Sequence, residues 1–133
     1  MNRYMLDTDI SSYIIRGIEK NLLDKFCHNI DNICISVVTF AELQYGALKR
    51  NNSQLTAKVN AFGSLVPQIE WNYDSAKAYA RLRAVLEARG NLIGSMDMMI
   101  AASALAEDVI LVTNNVRHFS IVDGLRIENW LER

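Results

Sequence analysis

Residues 4–10 read YMLDTDI. Tyr4, Met5 and Leu6 make a short apolar run that ends on two carboxylates, Asp7 and Asp9, separated by Thr8. A run of this kind, apolar throughout and bounded by polar residues, reads as a strand buried on both faces, the habit of parallel sheets. Open α/β sheets gather ligands beyond the carboxyl ends of their strands, and Asp7 stands at that end of the first one. The local alternative is that Thr8 or Asp9 caps the following helix while Asp7 only bonds the turn.

Further short apolar runs follow as ICIS (33–36), VPQIEW (66–71), VILVT (109–113) and LRIENW (125–130). Between them the spacing predicts helices over 9–16, 19–29, 38–49, 53–64, 73–89 and 96–107. Strands alternating with helices predict a parallel α/β sheet, because parallel neighbours need crossover connections. In the longest helix Tyr79, Leu82 and Leu86 form the core-facing stripe, and Gly90 with Asn91 marks its end.

A chain of 133 residues with one proline, Pro67, and no Ser/Gly linker or repeat reads as a single domain over 1–133. It can bury roughly two-thirds of its unfolded surface, so its core needs no staples. Half the residues are apolar, 22% are charged and the net charge is −1, the balance of a soluble globular protein. Any nucleic-acid contact then rests on local basic patches. The start of the chain lacks a charged segment followed by an apolar one, and no apolar run approaches a membrane span, so a cytoplasmic protein is expected. Cys27 and Cys34 have no second pair to complete a zinc site and are expected as reduced thiols.

Two more acids stand out. Glu42, in SVVTFAELQYGAL, lies beside the buried stripe of Phe40, Leu43 and Ala47. Its plain explanation is a capping box with Thr39, in which the glutamate reaches back to its own helix start. Asp97, in GSMDMMIAASALAEDVILVT, opens a helix in which every other residue from Met96 to Ala106 except Ser103 is apolar. Its plain explanation is the helix dipole, typically 0.3 to about 1 kcal/mol. Spacing with Ile100, Ala101 and Ala104 aims it along the core-facing side instead, where an unpaired carboxylate costs several kcal/mol.

No lysine or arginine adjoins Asp7 or Asp97 in the sequence, and carboxylates brought together raise one another's pKa. A divalent cation resolves that conflict, and oxygen donors without a His or Cys cluster favour Mg²⁺ or Mn²⁺ over zinc.

The ordered set MLDTDI, ISVVTFAELQYGA, IGSMDMMIAASA and LVTNNVRHF resembles the PIN-domain ribonucleases, most closely toxins of the VapC type. Four short motifs in this order span nearly the whole chain. The resemblance implies a three-layer α/β/α sandwich around a parallel sheet of four to five strands. It also implies a Mg²⁺- or Mn²⁺-dependent endoribonuclease and a homodimer held inactive by an antitoxin. By that resemblance the catalytic acids are Asp7, Glu42 and Asp97, which would also bind the metal, and Asn115 stands where a fourth acid is expected. An amide keeps a neutral oxygen but removes a charge, so one tightly held ion is expected, another arriving with the RNA phosphate. Thr8, Ser36 and Thr113 resemble the hydroxyl residues whose hydrogen bonds orient such acids, and Asp9 either caps its helix or restores the charge missing at Asn115.

For RNA, the candidate cations are Lys49, Arg50, Arg83, Arg89 and Arg117, against the plain reading of solvated surface charge. A compact site suits a structured RNA with splayed bases, such as a tRNA loop. His28 and His118 read as ordinary surface residues, with contact to substrate as the lesser alternative for His118. Apolar side chains from Tyr13 to Ile30 and around Tyr45 and Phe62 either complete the core or form a dimer or antitoxin face. Three rival readings stand. DTDI also resembles the start of haloacid-dehalogenase phosphatases, which would make Asp7 a nucleophile but leaves Glu42 and Asp97 unexplained. A catalytically weak RNA- or protein-binding module is the second. The third, a purely structural domain, requires a basic partner for Asp97.

Overall fold

The computed structural model describes residues 2–131. Five strands, β1 (Tyr4–Leu6), β2 (Ile33–Ser36), β3 (Gln68–Ile69), β4 (Ile110–Val112) and β5 (Ile127–Glu128), form one sheet in the order β3-β2-β1-β4-β5. Every neighbouring pair is parallel. The intervening α-helices are α1 (Thr8–Arg16), α2 (Lys20–His28), α3 (Val37–Lys49), α4 (Ser53–Leu65), α5 (Tyr73–Ala88), α6 (Ser95–Glu107) and α7 (Val116–Phe119).

Register assigns the two faces. Met5 pairs with Cys34 and Leu111, while Leu6 pairs with Ile35 and Val112. Successive side chains point to opposite faces of a strand. Met5, Cys34 and Leu111 accordingly pack with α5, α6 and Phe119 of α7. Leu6, Ile35 and Val112 pack with α1, α2 and α4. Helix α3 contributes to both cores, with Val38 on one side and Leu43 and Ala47 on the other. These layers are the three-layer sandwich expected. Burial pushes the Cys34 thiol up to about 12, helped by nearby Glu107, so it stays a neutral packed group; Cys27 is free and exposed. Among the described residues no helix is long and apolar enough to cross a membrane.

The helices start where side chains satisfy their free N–H groups. Asp7, Ser36, Asn52 and Asn72 cap α1, α3, α4 and α5. Two expectations change here. Asp7 itself, not Thr8 or Asp9, caps α1. The Thr39–Glu42 capping box does not form, because α3 begins earlier, with Ser36 Oγ accepting from Val38 N–H at 3.1 Å. Thr39 is then an interior helix residue, buried, with its hydroxyl unpartnered. The α5 helix ends before Gly90, whose φ of +67° is the left-handed turn foreseen there.

The one-turn α7 was absent from the sequence reading, since four residues are too few to show a helical period. It is held by Phe119, which is 1% exposed and seated in the core. Phe119→Ala is expected to cost about 3–5 kcal/mol, the range for deleting a buried aromatic ring. Urea denaturation would check it, and a loss below about 1 kcal/mol would show that α7 is held by something else.

Candidate functional site

The pairing of Leu6 with Ile35 and Val112 brings the next residues of three adjacent strands level: Asp7, Ser36 and Thr113. The chain runs from β1 outward through β2 to β3, then returns to place β4 on the other side of β1. Asp7 and Thr113 therefore sit at the topological switch point, where open sheets form their crevice.

Asp7 is 4% exposed, and its Oδ1 accepts from Ile10 N–H at 2.8 Å. Burial is the main cause that pushes its carboxyl up to about 6. Thr113 and the Ile10 bond oppose the rise, while Asp9 and Asp97 add to it. Asp97, in the first turn of α6, is also raised, first by burial and further by Asp9, with His118 pulling the other way. It is less hidden than its apolar helix implied, its side chain being 35% exposed, because the first turn of α6 opens at the rim of the crevice. Asp7 and Asp97 thus act on one another as expected, with Asp9 as the third charge where Glu42 was expected. Among the described residues none of Asp7, Asp9 and Glu42 pairs with a lysine or arginine, and Asp97 has only His118, 3.8 Å away.

Glu42 joins through a hydroxyl: Thr8 Oγ1 donates to its Oε1 at 2.5 Å. This bond, rather than its own helix start, is where the carboxylate goes. The two residues and Asp9 form one wall of a groove of about 180 Å³ between α1, α3 and α4, with Arg16 and Arg50 also on its lining. A larger cavity, about 420 Å³, lies against α5 and α6 and touches none of these acids. Ser36 is spent on its cap.

Asn115 follows Thr113, whose Oγ1 accepts the Asn115 N–H at 2.9 Å. The Asn115 amide nitrogen lies 2.8 Å from Nδ1 of His118. His118, read from sequence chiefly as plain surface, therefore lies beside both Asn115 and Asp97. The available signal was its spacing three residues after Asn115, but it needed α7 to become visible. Arg16 was missed for a similar reason, being one of several arginines with nothing local to single it out. Of the other cations proposed for RNA, Arg83 bonds Tyr79 and Glu87, and Arg89 pairs with Asp123, so neither is free. Lys49, Arg50 and Arg117 are exposed, and His28 is an exposed residue on α2.

Among the described residues no three His, Cys, Asp or Glu side chains form a ready metal cage. The donor set fits a hard cation nonetheless: all oxygens, two of the carboxyls raised, and, among the described residues, no lysine or arginine ion-paired with them.

Comparison with known proteins agrees with this geometry. The family model described as "PIN domain" matches residues 4–125. Among curated proteins, the chain is 39% identical to "Ribonuclease VapC2" of Haemophilus influenzae, covering 98% of this chain and 100% of that one. It is 36% identical to the "tRNA(fMet)-specific endonuclease VapC" of Shigella flexneri, covering 98% and 99%. Among solved structures, DNA-bound VapBC from Salmonella typhimurium superposes with a TM-score of 0.93 at 34% identity, covering 98% of this chain and 99% of that one. VapBC2 from Rickettsia felis, bound to a promoter DNA fragment, gives 0.89 at 36% identity, covering 96% and 98%. The chain belongs to the PIN-domain family of nucleases, and its full-length relatives place it within the VapC ribonuclease branch of that family.

The charge on Asp7 has a measurable consequence. Its folded pKa lies above the ordinary 3.8, so the protonated form favours the cation-free fold. That support is complete below pH 3.8 and lost as pH rises through about 6, a difference of about 3 kcal/mol for a shift of this size. Asp7→Asn keeps a good cap and has no charge to bury. In EDTA at pH 8 it should unfold at higher urea than the parent chain, with the gap closing towards pH 4. A less stable variant at pH 8 would mean that Asp7 is already compensated.

Proposed function

We propose that this protein is a divalent-cation-dependent endoribonuclease that acts as the toxin of a toxin–antitoxin pair, cleaving a structured RNA and so blocking translation. The observation that carries the reading is Asp7: a buried carboxyl at the sheet's switch point, faced by Asp9 and Asp97 and lacking a basic partner among the described residues.

Mg²⁺, with Mn²⁺ as substitute, is the cation we assign. Asp7 and Asp97 would hold it, Glu42 and Asn115 contributing directly or through water. When bound, such a cation lowers the pKa of water and steadies charge on a phosphate. The chain's own groups prepare the site. The Ile10 N–H fixes one oxygen of Asp7. Thr8 orients Glu42, and the Thr113 side chain favours the charged form of Asp7. Arg50 and Arg16 on the groove, with Arg117 after Asn115, supply the positive charge that a phosphodiester backbone requires.

A tRNA loop is the substrate we favour, because a compact site needs splayed bases and the Shigella relative is named for tRNA. The VapBC assemblies of Salmonella and Rickettsia support an antitoxin as partner. We further infer one domain over the whole chain, a homodimer and a cytoplasmic location, where tRNA is found. The rival binding module draws on Asn115 and on the lack, among the described residues, of a ready cage, and the same experiment separates the two readings.

Purified chain free of antitoxin, mixed with tRNA and Mg²⁺ or Mn²⁺, is expected to give discrete fragments that vanish with EDTA. Asp7→Asn and Asp97→Asn should each lower the rate by about 100-fold or more, the scale of losing one group that stabilises the transition state. A folded chain that binds Mn²⁺ and RNA but cuts neither tRNA nor total RNA would establish the binding module instead.

A further inference from the structure

Among the described residues three α-helices have asparagine at the capping position, and two of those side chains do what asparagine does there. Asn52 Oδ1 accepts from the N–H groups of Gln54 and Leu55 at 3.0 and 3.1 Å, and Asn72 Oδ1 from that of Ser75 at 3.0 Å. Asn115 stands at the same position before α7 and caps nothing. Its backbone is pinned on both sides, the N–H donated to Thr113 Oγ1 and the carbonyl accepting from His118 and Phe119 N–H at 3.1 and 3.2 Å. Only the side chain has a choice, and its nitrogen lies 2.8 Å from His118 Nδ1.

An amide NH₂ donates and cannot accept, so this contact is a hydrogen bond in the tautomer whose Nδ1 is bare and whose hydrogen sits on Nε2. Asp97 Oδ2 lies 3.8 Å from that same nitrogen, beyond hydrogen-bond reach. With Nδ2 committed to His118, Oδ1 is the end of the amide that accepts no bond among the described residues. The two ends of an amide are nearly equal in size and opposite in chemistry. Turned one way the group offers a cation an oxygen; turned the other it offers N–H hydrogens, which repel it.

We propose that His118 is a positioning residue that holds the Asn115 amide with its oxygen free, making Asn115 a neutral oxygen donor to the divalent cation where a carboxylate would need no such control. The inference rests on the cation-dependent reading above. It explains why an asparagine at a capping position forgoes its cap, and it gives the exposed His118 ring a task.

Mn²⁺ titration by calorimetry, on the folded chain without RNA, tests it in two backgrounds. His118→Ala removes a half-exposed ring and leaves the Phe119 anchor in place. It is expected to weaken Mn²⁺ binding about 10-fold, as loss of a ligand's supporting hydrogen bond does. In an Asn115→Asp background both terminal atoms are oxygens, so the same change should alter affinity less than about twofold, the coupling that a double-mutant cycle isolates. His118→Gln, whose amide oxygen can also accept, should restore most of the binding. In the cation-free chain, the ¹⁵N-detected side-chain amide of Asn115 should shift and exchange faster with solvent in His118→Ala. Equal losses in both backgrounds, no loss in either, or an amide signal that His118→Ala leaves unmoved would each overturn the proposal. A parent chain that binds no Mn²⁺ would instead remove the cation-dependent reading, and the donor role of Asn115 with it.

Discussion

A single buried carboxyl organises this molecule. Asp7 follows the central strand of a parallel sheet, at the point where the chain has built one half and returns to build the other. Its position is fixed by backbone: Asp7 N–H donates to Val112 O at 3.0 Å, and Asp7 Oδ1 accepts from Ile10 N–H at 2.8 Å. One side chain therefore ends a strand, starts a helix and faces a crevice. Burying it raises its pKa, and so do the nearby Asp9 and Asp97. A protein that kept such a group only for folding would place a neutral cap there, since asparagine caps as well and carries no charge.

The surroundings follow from the same constraint. Ser36 and Thr113 close the neighbouring strands with hydroxyls rather than further charge, and both are fully buried. Asp97 comes from the first turn of α6, where a helix tolerates negative charge best, and Glu42 from the second turn of α3. They sit at the rim, half-exposed, so that only Asp7 bears the full desolvation. Asp7, Asp9 and Asp97 are close enough to feel one another, yet among the described residues the acids do not close into a cage.

Part of this was legible in the residues alone. The four apolar runs after YML, and the helical spacing between them, specify the α/β alternation, because burial on both faces and burial on one stripe leave different periods in a sequence. Asp7 and Asp97 were conspicuous as charges set in apolar surroundings. Local reasoning misled where two explanations shared a pattern: Thr39 and Glu42 have capping-box spacing, but Ser36, three residues upstream of Thr39, supplies the cap first. His118 was invisible because its role depends on α7, a single turn held by Phe119 against a core assembled from distant strands and helices.

The sequence by itself determined the alternation of strands with the longer helices and the parallel sheet, because these depend on the spacing of apolar residues along the chain. Only the tertiary structure decided that Thr8 holds Glu42 and that Asp97 acts on Asp7. Those relations join residues as much as 90 positions apart. They are set by strand register and helix docking, which bring groups level across a sheet for reasons no local stretch contains.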